Sequence, residues 1–327
     1  MISAASRTRT ALSRRPAEMR WRIALKPMGW AVFAVAALAI AAFAATAGID
    51  WRAVAGMLGA ADTVGLLAIA PALTLSVWVL RAVRWKLTLD LIDRRLPPID
   101  LYLLSSMAIG LAAVTPAQSG ELMKAEFARR GAGAPIAESV ALFAGERLYD
   151  VATLLVLTLA AVAMSGLAGG LPPAVMLAGG AGLVAVAAAT VMLARNSPAA
   201  ANALGPFVRT MSTPSVAAGM AATTLACWLI SGAVWRVALG SVGVELTLAA
   251  TIALMGLVTF ANLVNLAPGG VGTTEAGVAG FLLLQGTSPE AAAAGALAIR
   301  FLGFVAMALG AAHWAAHRVI RRRGAPA

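Results

Sequence analysis

The amino-acid sequence predicts an all-α polytopic membrane protein, with about six full spans plus two re-entrant helical hairpins that form an inverted repeat. Three observations carry this expectation. The 327 residues are 61% hydrophobic and only 12% charged, against roughly 25% charged in soluble domains. Apolar runs recur at 28–47, 64–80, 101–115, 139–167, 174–194, 216–235, 247–267, 276–285 and 291–312. Two stretches repeat one order of proline, small residues, glutamate, proline and arginine. Composition excludes a water-soluble enzyme and a disordered chain. The longest polar stretch is 1–27, too short for a soluble catalytic domain.

Residues 1–27 are expected to be a basic cytoplasmic tail. They hold Arg7, Arg9, Arg14, Arg15, Arg20, Arg22 and Lys26 against one acid, Glu18. Run 28–47 is long enough for an uncleaved first span, longer than the apolar core of a signal peptide. The membrane domain is expected over 28–312 and a second basic cytoplasmic tail over 313–327. Three runs do not read as simple spans. Run 101–115 stops at Pro116, run 276–285 is short, and run 247–267 turns polar at Thr259, Asn262 and Asn265 before Pro268-Gly269-Gly270.

These irregular runs belong to the two copies, about 101–167 and 247–312. Each apolar run meets a proline (Pro116, Pro268), then small residues and a glutamate (Gly120-Glu121; Gly272 and Glu275). Fourteen residues separate that glutamate from the next proline in both copies (Pro135, Pro289), and an arginine follows in the next run (Arg147, Arg300). Broken backbone at membrane depth is tolerated only where protein or a watery cavity covers it. Paired broken segments point to a transporter's binding site.

The net charge of +11 is read as topology and anionic-lipid contact, with no nucleic-acid partner. If 101–115 and 247–267 both span, the external basic residues are Arg52, Lys124, Arg129, Arg130, Arg195 and Arg209. If 101–131 and 247–286 are hairpins entering from opposite sides, only Arg52 and Arg236 are external. The positive-inside rule favours the hairpins, with both termini cytoplasmic.

Glu146, Arg147, Asp150 and Arg300 lie well inside apolar runs, roughly 11–17 Å deep at 1.5 Å per residue. Charges there need partners or water. A structural ion pair and a polar cavity for a charged ligand both fit. Under the second reading, Arg147, Arg300, Gly120, Gly269, Gly270 and Gly272 bind substrate. Arginine offers phosphate a planar donor fork, and a half-helix starting after the glycines presents free amides. Glu121, Glu146, Asp150 and Glu275 then serve as ion-pair or coupling groups, with burial making proton carriage by Glu121 or Glu275 feasible. Arg81, Arg84, Trp85 and Lys124 are expected to touch headgroups at the cytoplasmic face by snorkelling.

Trp30, Trp78, Trp85, Trp235 and Trp314 sit near segment ends, as an aromatic belt requires. His313 and His317 are read as interfacial, and the lone Cys227 as a small core residue. No metal site, no catalytic motif and no cofactor is expected.

In this order, Arg81-x-x-Arg84-Trp85, Pro116, Gly120-Glu121, Lys124, Glu146-Arg147, Asp150, Pro268-Gly269-Gly270-x-Gly272-x-x-Glu275 and Arg300 resemble the lysylphosphatidylglycerol synthase transmembrane-region family, also called flippase-like. The resemblance covers roughly 64–310. It implies movement or handling of phospholipids, polyprenyl-phosphate lipids or hopanoid-type lipids in a bacterial inner membrane. The chain departs from the family pattern at Gln118, where members often carry arginine. It also ends at Ala327, soon after the last run, so the soluble aminoacyl-transfer activity of bifunctional members is not expected. A lipid flippase or transporter is the leading expectation. One alternative is a membrane-embedded lipid phosphatase or transferase using Ser119, Thr273, Thr274, Glu121 or Glu275. Another is a non-transporting partner of lipid-synthesis enzymes.

Overall fold

The computed structural model describes residues 48–165, 198–264 and 267–323, and every regular element among them is helical. Helix α1 spans Trp51–Gly59 and is capped by Asp50, whose carboxylate accepts the Arg52 N–H at 2.9 Å. A π turn, Gly65–Ile69, leads into α2, Ala70–Asp90. Helix α3 (Pro98–Ala112) starts on a proline already fixed at helical φ. A 3₁₀ turn, Pro116–Leu122, connects it to α4 (Met123–Ala132). Helix α5 is Ile136–Met164, α6 Pro198–Ser212 and α7 Pro214–Ser241. Helix α8 (Leu248–Val264), a 3₁₀ turn at Pro268–Gly270 and α9 (Thr273–Leu284) precede α10, Pro289–Arg323.

Four helices among the described residues are long and apolar enough to cross a membrane: Gly65–Asp90, Ile136–Met164, Pro214–Ser241 and Pro289–Arg321. They coincide with four of the six expected spans. The other two, 28–47 and 174–194, lie outside the described residues, as do the 1–27 tail and Asn265. Residues 313–323, expected as tail, continue α10. No breaker interrupts them, and they find partners on α3: Arg321 reaches Asp100 at 2.8 Å, and His313 meets the Tyr102 hydroxyl at 2.9 Å.

At each proline break the chain turns back on itself. Helix α4 returns along α3, so that Gly131 packs on Leu96 and Ala128 shares a buried cluster with Leu101 and Leu104. Gly133 ends α4 at φ 63°, its N–H donating to the Arg129 carbonyl at 3.1 Å. Helix α9 returns along α8 likewise, with Gly277 against Val258. The two units then exchange arms: α10 packs on α3 and α8 packs on α5. Gly110 and Gly310 let the backbones of α3 and α10 nearly touch, since a Cβ on either would lie 2.6 Å from the other's Cα. Close approach through small residues is the usual way helices associate in lipid.

The main core gathers α5, α7, α8, α9 and α10 around residues such as Leu254, Val258, Val278 and Leu282. Apolar side chains such as Val79, Val83, Val156 and Leu225 face outward. That arrangement suits a multi-pass membrane protein.

Candidate functional site

Where the two breaks meet, backbone touches backbone. A Cβ on Gly269 would lie 2.8 Å from the Ala113 carbonyl, at the end of α3. Gly269, Gly270 and Gly272 all have positive φ (64°, 64° and 87°), which only glycine adopts without strain. Gln118 takes the same region at φ 55° in the first break. Gly120 sits against the backbone of Leu111 and Ala112, where no Cβ fits. Its N–H donates to Thr115 Oγ1 at 2.7 Å. Gly120 therefore makes the chain's return possible, and its N–H is already taken.

The same glutamate–arginine pair forms in both units. In the first, Arg147 Nη2 lies 2.6 Å from Glu121 Oε2. In the second, Arg300 Nε pairs with Glu275 Oε1. Arg300 also donates to the carbonyls of Gly269 (2.7 Å) and Gly270 (3.1 Å), clamping the second break. The Gly272 N–H donates to Glu275 Oε2 at 2.8 Å, so the start of α9 already holds a carboxylate. A phosphate at that helix start would have to displace it. Glu121 and Glu275 are both engaged by arginine, which is the ion-pair role expected of them.

The first unit carries a larger network, built with α2. Arg84 is fully buried and forks onto Asp150, with Nη1–Oδ1 at 2.5 Å and Nη2–Oδ2 at 3.1 Å. It also donates to Thr224 Oγ1 at 3.0 Å and lies 3.6 Å from Glu146. Lys124 Nζ is 2.9 Å from Glu146 Oε2 and 5.8 Å from the Trp85 ring centroid. Arg81 pairs with Glu121 at 2.6 Å and reaches Asp150 at 3.6 Å. Arg147 adds a 2.8 Å contact to Asp150.

This corrects the headgroup-contact reading for three residues. Arg84, Trp85 and Lys124 are 0%, 4% and 2% exposed. Arg84 and Lys124 face inward onto the buried carboxylates of Asp150 and Glu146, and Trp85 packs in the apolar cluster with Leu89 and Leu142. Trp78, at 2% exposure, is likewise interior and not part of a belt. Trp314 is exposed, with Arg318 stacked 5.0 Å above its ring. On the outer face of α4, Arg129 and Arg130 donate hydrogen bonds to the Glu126 carboxylate, Arg129 from Nη2 at 2.7 Å.

Arg81 opens onto two adjoining cavities of about 330 and 270 Å³, and Gln118, Gly269, Arg300 and Gly303 line both. The larger one adds Asp150, Thr74, Ser231, Thr259 and Thr274, with Trp78, Trp228 and Trp235 as an apolar wall. The indole Nε1 of Trp228 is buried without a hydrogen-bond partner. The smaller one adds Glu121, Asn262 and apolar residues such as Phe304 and Met307. Of the substrate candidates, Arg300, Gly269 and Gly270 line a cavity, and Arg147 reaches it through Glu121. Gln118, Trp228, Thr74, Ser231 and Asn262 were not singled out as ligand contacts. Two of them carry a sequence signal: Gln118 as a departure from the arginine of similar chains, and Asn262 as a polar residue in an apolar run.

Mixed polar and apolar cavity walls beside buried cations suit an amphiphile with an anionic head. Among the described residues no group of three or more His, Cys, Asp or Glu could hold a metal ion. No curated relative matches the chain. A family model described as the lysylphosphatidylglycerol synthase transmembrane region matches residues 29–310, most of the 327, and the chain belongs to that family.

Proposed function

We propose that the protein moves phosphate-bearing lipids, phospholipids or polyprenyl-phosphate lipids, across the bacterial inner membrane. The headgroup passes through the cavities between the two breaks while the acyl or prenyl tails stay between helices. One observation carries this reading. Among the described residues, the acidic partners of Arg81, Arg84, Lys124 and Arg147 are Glu121, Glu146 and Asp150, leaving a surplus positive charge beside the cavity. Buried surplus charge is costly, and an anion at Arg81 relieves it.

In this proposal the units α3–α5 and α8–α10 form an inverted repeat whose first two helices enter the membrane without crossing it. The matching glutamate–arginine pairs and the exchanged arms support it. So do the helix ends. Asp62 N–H meets the Ser241 carbonyl at 2.9 Å on one side, whereas Asp100 meets Arg321 at 2.8 Å on the other. The basic residues Arg318, Arg321, Arg322 and Arg323 then lie in the cytoplasm.

The test is reconstitution of purified protein in liposomes holding headgroup-labelled phosphatidylglycerol or a polyprenyl phosphate. Accelerated movement of label between leaflets, with no phosphate released, is the expected result. Phosphate release would favour the phosphatase or transferase alternative. Neither movement nor release would leave the role of a partner to lipid-synthesis enzymes.

A further inference from the structure

We propose that Lys124 is a proton-binding site coupled to the cavity: it takes up a proton when a phosphate headgroup binds beside Arg81 and releases it when the headgroup leaves. This rests on the lipid-phosphate reading above. The buried network has four cations and three carboxylates among the described residues. When the cavity holds no anion, one positive charge is in excess. Protonating a carboxylate would enlarge that excess. Each carboxylate also contacts at least two cations: Glu121 meets Arg81 and Arg147, Glu146 meets Arg84 and Lys124, and Asp150 meets all three arginines. Arginine does not give up its proton in proteins, whereas a buried lysine does. Lys124 is the member that can restore neutrality.

The connection to the cavity is continuous. Lys124 bonds Glu146, which faces Arg84; Arg84 forks onto Asp150, and Asp150 lies 3.6 Å from Arg81 on the cavity wall. Lys124 is faced by Glu146 from α5, by Arg81, Arg84 and the Trp85 ring from α2, and by Glu121 from the first break. Among the described residues, the rival is Cys227 on α7, which faces Arg81 and Arg84 and whose thiolate would also offset the surplus. Proton uptake on binding means that lipid affinity rises as pH falls from the range in which the filled-site lysine titrates to that in which the empty-site lysine does, and levels off below it.

The experiment uses full-length protein in phosphatidylcholine nanodiscs, titrated with short-chain phosphatidylglycerol and, separately, with inorganic phosphate. Heats measured in two buffers of different ionisation enthalpy, over about pH 6–10, give the protons taken up per ligand bound. Uptake approaching one proton is expected for the parent protein and for Cys227→Ala. Lys124→Arg should bind with none, and so should Lys124→Met, more weakly, which serves if the arginine variant fails to fold. Binding without uptake by the parent, uptake retained in Lys124→Arg, or uptake lost in Cys227→Ala would overturn the lysine site and leave the lipid reading standing. Uptake with inorganic phosphate alone would uphold the lysine and overturn the lipid reading. Binding of neither ligand would overturn both.

Discussion

Arg84 and Arg147 contact the same carboxylate, Asp150, but from different surroundings. Arg84 is sealed in the interior, whereas the Arg147 side chain is 26% exposed and rests on the Phe143 ring. Arg84→Met should therefore remove the fork on Asp150, leaving it only Arg81 at 3.6 Å and Arg147 at 2.8 Å, and destabilise the protein by less than the about 3–5 kcal/mol of a buried charge left with no partner. Thermal unfolding in detergent measures this. Arg147→Ala should yield folded protein with impaired lipid movement; a folded and fully active variant would remove Arg147 from the site. Arg300→Ala should do more than weaken an anion contact, because it also frees the carbonyls of Gly269 and Gly270. Reduced folded yield, compared with Glu275→Gln on the same preparation, reports that loss. The pairing of Arg147 and Arg300 with break glutamates was legible, because equal spacing in two copies implies equal reach. The inward turn of Arg81 and Arg84 was not. The partner of Arg84 lies 66 residues away in sequence, and a basic residue near a helix end reads locally as snorkelling.

Helices and breaks were more legible than side-chain partners. The apolar runs, Pro116 and Pro268 mark where helices stop, because proline removes a donor and clashes with the preceding turn. The long last helix was underestimated at its end. Hydropathy falls after Ala312, yet Asp100 and Tyr102 give the polar continuation something to bind. Which helices would cross closely could not be read, since the chain holds 32 glycines and, among the described residues, those at close contacts look no different in sequence from those in open space. The crossing of α3 and α10 depends on Gly110 and Gly310. Gly310→Val should force these backbones apart and lower stability by about 1–3 kcal/mol, the range for overpacking. Gly240→Val, where a Cβ meets nothing within 4 Å, is the control. Equal thermal stability of both variants would show that the crossing is not tight.

Across the whole molecule, topology and transport are separate claims. A cysteine at Ala132, with Cys227 replaced, should resist an impermeant thiol reagent added outside whole cells, because α4 returns to the side from which α3 starts. Labelling there would place the first break on the other side of the membrane. On the proposed route lipid headgroups pass between the two breaks, and Gly303 probes that route. It lines both cavities, and a Cβ there meets nothing within 4 Å. Gly303→Phe should thus fold normally while filling the shared space. The measurement is lipid translocation in liposomes reconstituted with equal amounts of parent and Gly303→Phe protein. Loss of translocation with unchanged thermal stability is the predicted result. Translocation at the parent rate would contradict passage between the breaks.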